Sequence, residues 1–451
     1  MSQRWWLLGV VGLVLVGLLV ACGSSYNSST DGLLIVGSQG SALLETFSFT
    51  LNKGSVSAIA NTPTDTSNET CVLPGQPQSM VIDPAGQYVY TILQQVNTCS
   101  NSQPGILAFK VSSGGSITQV GNVVTPNSAS VLIQGTMNSE SVATVPNQLF
   151  MDSAGKFLFV ANLATTDPSN NAVPGSVSVF TVSSGTLTEV AGSPFFTSSP
   201  AMTTLQAAPN IVAVAASPTV FPGVGINGTV NSVCQVGANP PTGEYLYAVD
   251  SINYKVYEFS VDETTGVLSF PPGQQAVWSI ATDAVPAGVA VDPCDRFVYV
   301  TSSLHNTISG YQLCAVVLNG VCPNADGTLV PIAGSPFALS AAGNGPGPIV
   351  VDPYGNNVYA LDLLANAISV LKISSATGSL AAASPPTVAT GVGPTSIVIR
   401  GDDSWLFVAN HGSGSQGGST VSQYAVTPVG GALTALPPIQ TDNYPWGLAV
   451  K

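Results

Sequence analysis

Positive charge is nearly absent from this chain. Of its 451 residues, 9 are Lys or Arg and 23 are Asp or Glu, a formal net charge of −14. That balance repels phosphate backbones and anionic headgroups, and so argues against nucleic-acid binding or adhesion to acidic lipid by charge. Charged residues of both signs reach only 7%. Helix-favouring Lys, Arg and Glu are therefore scarce, while Gly, Pro, Ser, Thr and Val abound, a composition that leans to β-structure. Histidine occurs only at His305 and His411. No Cys-x-x-Cys pair or Cys/His cluster argues for zinc, and no metal or other cofactor is expected. Glycine-rich phosphate loops, nucleophile elbows and His-Glu-x-x-His are missing too. The chain is not disordered, because 45% of it is apolar.

Long hydrophobic runs are confined to Trp5–Ala21, behind a single Arg4. A short apolar stretch before small residues reads as a signal peptide. It ends Leu19-Val20-Ala21-Cys22, which resembles the bacterial lipobox, in which the cysteine is lipidated and becomes the mature N-terminus. Residues 23–32 (GSSYNSSTDG) are small and polar, as in a flexible tether. The expected organisation is a lipoprotein signal over 1–21, lipidated Cys22 and tether over 22–32, and a folded body over 33–451. The expected location is a bacterial envelope, on the periplasmic or cell-surface side, with the membrane touched only through the lipid and the body monomeric.

What fills the body is a period. Proline followed by apolar residues recurs from Pro77, Pro146, Pro209, Pro286, Pro346, Pro394 and Pro445. A run without polar alternation is a strand buried on both faces. Next come paired aromatics, as in Tyr88-Val89-Tyr90, Phe157-Leu158-Phe159 and Phe297-Val298-Tyr299. Then follow an alternating strand and a strand opened by a turn glycine, as at Gly185, Gly266 and Gly378. Seven repeats of four strands predict an all-β, seven-bladed β-propeller of four-stranded blades. The chain starts with a second strand, Leu33–Val36, and ends with a first strand, PWGLAV from Pro445. The C-terminal strand is thus expected to complete blade 1 and close the ring, removing free edges.

Asp83-Pro84, Asp292-Pro293 and Asp352-Pro353 fall where the first strand turns into the second, and read as turn caps. Ala215, Arg400 and Lys451 fall at the same place in other blades, which argues against a carboxylate ring. In a meander, second-to-third and fourth-to-first connections share one face, here called upper, and the others share the lower face. Excluding Cys22, six cysteines remain, which permit fifteen pairings. Topology favours Cys71–Cys99, Cys234–Cys294 and Cys314–Cys322.

The inner strand, Asp-Pro-x-Gly turn and aromatic-Val-Tyr strand, with Val160-Ala161-Asn162, Val408-Ala409-Asn410 and the Gly-Ser-Pro-Phe segments at 192–195 and 334–337, resemble YVTN-type repeats. Over nearly the whole body they resemble the seven-bladed lactonase family that includes 6-phosphogluconolactonase. The resemblance implies lactone hydrolysis, for which that family's inner strand opens Pro-Arg-His. Here the matching places hold Pro286-Ala287-Gly288 and Pro346-Gly347-Pro348, so the cation and the proton-transfer group are missing. Other upper-face candidates are His305 and His411 as bases, Asp250 and Asp362 as orienting carboxylates, and Asn162, Asn306 and Asn410 as ligand-binding groups. Two functions follow: a module binding a glycan, small molecule or protein on its upper face, or a lactone hydrolase using one of the histidines.

Overall fold

A computed structural model describes residues 31–40, 42–50, 55–59, 73, 75–94, 105–126, 129–132, 139–142, 144–166, 172–197, 208–218, 243–270, 278–314, 327–340, 345–413, 416–427 and 430–451. They form seven antiparallel blades in a ring, each with a four-stranded core. The inner strands are Pro445–Val450 in blade 1, Gln76–Ile82 in blade 2, Val145–Met151 in blade 3, Ile211–Ala216 in blade 4, Pro286–Val291 in blade 5, Pro346–Val351 in blade 6 and Pro394–Ile399 in blade 7. Blade 1 is closed as expected. Its second strand, Asp31–Ser38, pairs on one side with Leu43–Thr50 and on the other with Pro445–Val450. That strand begins at Asp31, so the last two residues assigned to the tether belong to the ring.

The aromatic pairs have a packing reason. Second-strand side chains such as Tyr247, Tyr299 and Tyr359 are fully buried between blades, and a buried phenol needs an acceptor. Each finds the same one: Tyr247 Oη donates to Gly327 O at 3.2 Å, Tyr299 Oη to Gly378 O at 2.8 Å and Tyr359 Oη to Gly431 O at 3.0 Å. These acceptors are the glycines that open the next blade's fourth strand, all at positive φ (83°, 71° and 66°). In Gly-Ser-Pro-Phe the serine matters: Ser193 Oγ accepts the Val179 N–H and Ser335 Oγ the Gly310 N–H. The outer edge resumes beyond it as Phe195–Phe196 and Phe337–Ala338.

The lower-face turns are capped as the sequence indicates. Asp83 Oδ1 accepts the N–H groups of Gln87 and Tyr88 at 2.5 and 2.8 Å, and Asp152 repeats this with Lys156 and Phe157 at 2.6 and 2.8 Å. Blade 4 corrects the frame. Ile211 pairs with Asp250 as Pro146 pairs with Asn162, so the repeat runs two residues later than Pro209 suggests. The capping residue is Ser217, whose Oγ accepts the Tyr245 N–H at 2.9 Å, and not Ala215. Cys314 also departs from expectation: it is a buried free thiol, its N–H donating to Thr328 O, and not half of a bond to Cys322. Cys294 is buried and disulfide-bonded. Cys22, Cys71, Cys99, Cys234 and Cys322 lie outside the described residues, as do the signal segment and all of the tether but Asp31 and Gly32.

Candidate functional site

Every inner strand is irregular at one place. Just after its leading residue the pairing register with the second strand shifts in all seven blades. A bulge leaves a residue unpaired and re-aims its side chain. The residues released are Gln78-Ser79, Asn147, Val212, Ala287, Gly347-Pro348, Thr395 and Trp446. All but Gly347 line a central channel of about 560 Å³, within the size range of small-molecule sites.

The upper rim of this channel is two-sided. Blades 7, 1, 2 and 3, which are neighbours around the ring, contribute Thr395, Trp446, Gln78 and Asn147. Blades 4, 5 and 6 contribute Val212, Ala287 and Pro348. Below the rim the wall is aliphatic, including Leu149, Val289, Ile349, Ile397 and Leu448. Among the described residues no charged side chain lines it. Some polar groups are already engaged: Asn147 Nδ2 donates to Val212 O at 2.7 Å, and Gln148 Oε1 accepts the Val214 N–H at 2.7 Å. Gln78 Oε1 is buried without a partner.

His411 stands at the polar side of the rim. Its ring lies 4.8 Å edge-on from Trp446 and 5.0 Å from Tyr444, centroid to centroid. Burial lowers its pKa against a smaller opposing effect of the Gly412 backbone, so the imidazole is a neutral aromatic surface at neutral pH. His305 belongs to blade 5 and is 56% exposed; its Nδ1 lies 2.5 Å from Asp283 Oδ1. Thr307 Oγ1 donates to Asp283 Oδ2 at 2.6 Å and the Ala284 N–H to Oδ1 at 2.8 Å. Burial opposes ionisation of Asp283, but the hydrogen bonds of Thr307, His305 and Ala284 prevail and its pKa is lowered. An ionised carboxylate only accepts, so Nδ1 of a neutral His305 carries the hydrogen and Nε2 is left as the base. This is a base with its orienter, though neither residue lines the channel.

The other candidates make hydrogen bonds within the fold, and Asp362 Oδ1 and Asn162 Oδ1 are buried without a partner. Asp250 is fully buried and accepts the N–H groups of Asn210, Ile252 and Asn253, the Asn253 amide at 2.7 Å and the Tyr257 hydroxyl at 3.3 Å. Asp362, fully buried, accepts the Ser369 hydroxyl at 2.7 Å, and burial raises its pKa to about 6. Asn306 adopts φ 56° and accepts the Gly345 N–H, a device repeated by Asn366 and Gly393 one blade on. Asn162 and Asn410 are buried and donate to serine and threonine hydroxyls of their own third strands. The channel residues Gln78, Asn147 and Trp446, Tyr444 beside His411, and the Asp283 carboxylate are additions by the structure. The repeat frame marks the positions of Gln78, Asn147 and Trp446, each of which follows a leading proline directly. Among the described residues no group of three or more His, Cys, Asp or Glu is placed to hold a metal.

Residues 322–446 match a family model described as lactonase, 7-bladed beta-propeller. No curated protein matches the chain significantly. Solved structures share its fold along nearly their whole length. The periplasmic gluconolactonase of Pseudomonas aeruginosa is 18% identical with a TM-score of 0.62, covering 93% of this chain and 99% of its own. A candidate 6-phosphogluconolactonase of Bacteroides fragilis is 18% identical with a TM-score of 0.61, covering 94% and 99%. A functionally unknown protein of Desulfotomaculum acetoxidans is 14% identical with a TM-score of 0.55, covering 93% and 98%. The chain is thus a seven-bladed propeller, and its sequence likeness to the lactonase family is carried by residues 322–446.

Proposed function

We propose that the protein is a binding module for a small, neutral, ring-shaped ligand, of the sugar or lactone kind, taken into the upper mouth of the central channel. The observation that carries this reading is the uncharged, two-sided rim. Trp446 offers an aromatic face and Gln78, Asn147 and Thr395 offer neutral hydrogen-bonding groups, while Val212, Ala287 and Pro348 offer apolar contact opposite. A polyol or lactone ring has the same two sides, apolar C–H faces and a polar edge, and an unpartnered Gln78 Oε1 gains most from a ligand hydroxyl. Among the described residues a phosphorylated sugar acid would find no cation along the wall.

Calorimetric titration of the full chain with neutral monosaccharides and aldonolactones tests this. Saturable binding, weakened in both Trp446→Ala and Gln78→Ala, is the expected result. Absence of binding by every neutral ring, or binding that neither variant alters, overturns it.

A second reading rests on the His305–Asp283 pair. In it, His305 Nε2 takes a proton from water that attacks a lactone carbonyl, the Asp283 carboxylate steadies the imidazolium, and the imidazolium returns the proton to the ring oxygen as the acyl C–O bond breaks. Lactone turnover lost in His305→Ala supports it, and no turnover above buffer sinks it. The lipobox-like end at Cys22 supports attachment to a bacterial envelope by lipid; labelling cells with a clickable fatty acid, with Cys22→Ser as control, checks this.

A further inference from the structure

The turn between first and second strands has a positive-φ fourth residue, glycine in blades 2, 3 and 6: Gly86 at 63°, Gly155 at 69° and Gly355 at 67°. Blades 5 and 7 place Asp295 and Asp403 there, at φ 55° and 57°, a conformation unusual for a side chain with a Cβ. What this position faces is shown at the boundary between blades 5 and 6. A Cβ on Gly355 would lie 2.2 Å from Asp292 Oδ1 and 2.6 Å from Arg296 Nη2. The fourth residue of one turn therefore abuts the capping aspartate of the preceding blade. Between blades 5 and 6 that aspartate is neutralised: Arg296 Nε and Nη2 each donate to Asp292 at 2.8 Å, and Nη2 also donates to Gly355 O at 3.0 Å.

Between blades 6 and 7 the same niche has lost its cation and gained an anion. Asn356 stands in the place of Arg296, and Asp403 in the place of Gly355. Asp352 and Asp403 are both fully buried, and neither oxygen of Asp403 has a partner. The charged groups acting on Asp403 are the acids Asp352 and Asp402. Arg400, nearby in sequence, is occupied with Asp402 and Lys451 O. A separate group also lacks a partner. Asn357 is fully buried, its Nδ2 donates to Asp352 Oδ2 at 2.6 Å, and its Oδ1 is unsatisfied.

We propose that this niche binds one divalent cation of the hard, oxygen-preferring kind, Ca²⁺ foremost, between the Asp352 and Asp403 carboxylates with Asn357 Oδ1 as a further ligand. Two carboxylates match the ion's charge, and carboxylate and amide oxygens are its preferred donors. The ion takes the role that the Arg296 guanidinium has one boundary earlier, tying adjacent blades on the lower face.

The test is thermal unfolding of the full chain in chelator and in Ca²⁺, with Tb³⁺ emission excited through tyrosine as a second readout, because Tyr354 and Tyr359 neighbour the two aspartates. At a hundredfold excess over Kd, Ca²⁺ raises the wild-type midpoint by about 3 °C. Asp403→Gly loses both the rise and the emission. That variant restores the residue used in three other blades, so it folds, and in chelator it is more stable than the wild type. A wild type indifferent to Ca²⁺, or a rise equal in Asp403→Gly, overturns the proposal.

Discussion

Asp283 and His305 meet at 2.5 Å across the upper face, one from the connection into blade 5 and the other from a turn within it. Thr307 holds the second oxygen of Asp283, so the carboxylate is fixed from two sides while the imidazole stays open to solvent. Because the pair stands outside the channel lining, His305→Ala is expected to leave affinity for a neutral ring within about twofold. The same change abolishes any lactone turnover. Titration and a pH-stat assay on one preparation separate the two.

Trp446 contributes an aromatic face to the rim, with His411 edge-on behind it. Trp446→Ala is expected to weaken neutral-ring binding about tenfold, or about 1.4 kcal/mol. His411→Phe, which keeps the aromatic support, should bind within a factor of about two of wild type. Calorimetry on both variants checks this.

The Asp292–Arg296 pair is almost wholly buried, at 0% and 3% exposure. Truncating one partner strands the other charge. Arg296→Ala is therefore expected to lower stability by about 3–5 kcal/mol, read by denaturant unfolding. Replacing both residues by apolar ones of similar size should cost much less.

Acid should suit this fold. Burial raises the pKa of Glu258 to about 9; burial, then Asp152 and other acids, raise that of Glu244 to about 8. Between the ordinary glutamate value of 4.5 and these raised values, the unfolded chain has released its proton and the folded chain keeps it. Stability from these groups is therefore full below the ordinary value and falls as pH rises, levelling off once the folded groups ionise. The slope is on the order of 1 kcal/mol per group per pH unit. Urea midpoints taken from pH 5 to 9 should fall, and Glu258→Gln should flatten the trend.

The tyrosine-to-glycine bonds between blades predict a smaller effect. Tyr299→Phe leaves Gly378 O without its donor inside the ring, and is expected to cost about 1 kcal/mol. An equal loss in Tyr359→Phe, by thermal unfolding, would mark the bond as a repeated joint.

Strand count was legible because the strand pattern is written seven times, ring closure because Pro445–Val450 supplies the first strand that blade 1 lacks, and the caps at Asp83, Asp292 and Asp352 because Asp-Pro marks them. Blade 4 was misaligned because Pro209 imitates the leading proline, and only pairing of Ile211 with Asp250 reveals the offset. The channel rim was harder to read, since a bulge is a property of two paired strands and a single strand's letters do not show which residue goes unpaired. Asp250, Asn306 and Asn410 looked functional because polar residues near a mouth suggest ligands; they spend their hydrogen bonds on backbone and neighbouring hydroxyls. Asp283 escaped notice because its meeting with His305 joins two connections that only folding brings together.

The clasp of blade 1 also sets an orientation. Leu33 and Lys451 exchange hydrogen bonds of 3.2 and 2.9 Å, and the strand from Asp31 sets out from the lower face, where the strand ending at Val450 arrives. Topologically the body is a circle cut once, with both cut ends underneath. The two ends of the described ring, Asp31 and Lys451, thus lie on the same face. The mouth with Trp446 and Gln78 opens on the opposite face, as a cup opens away from its base.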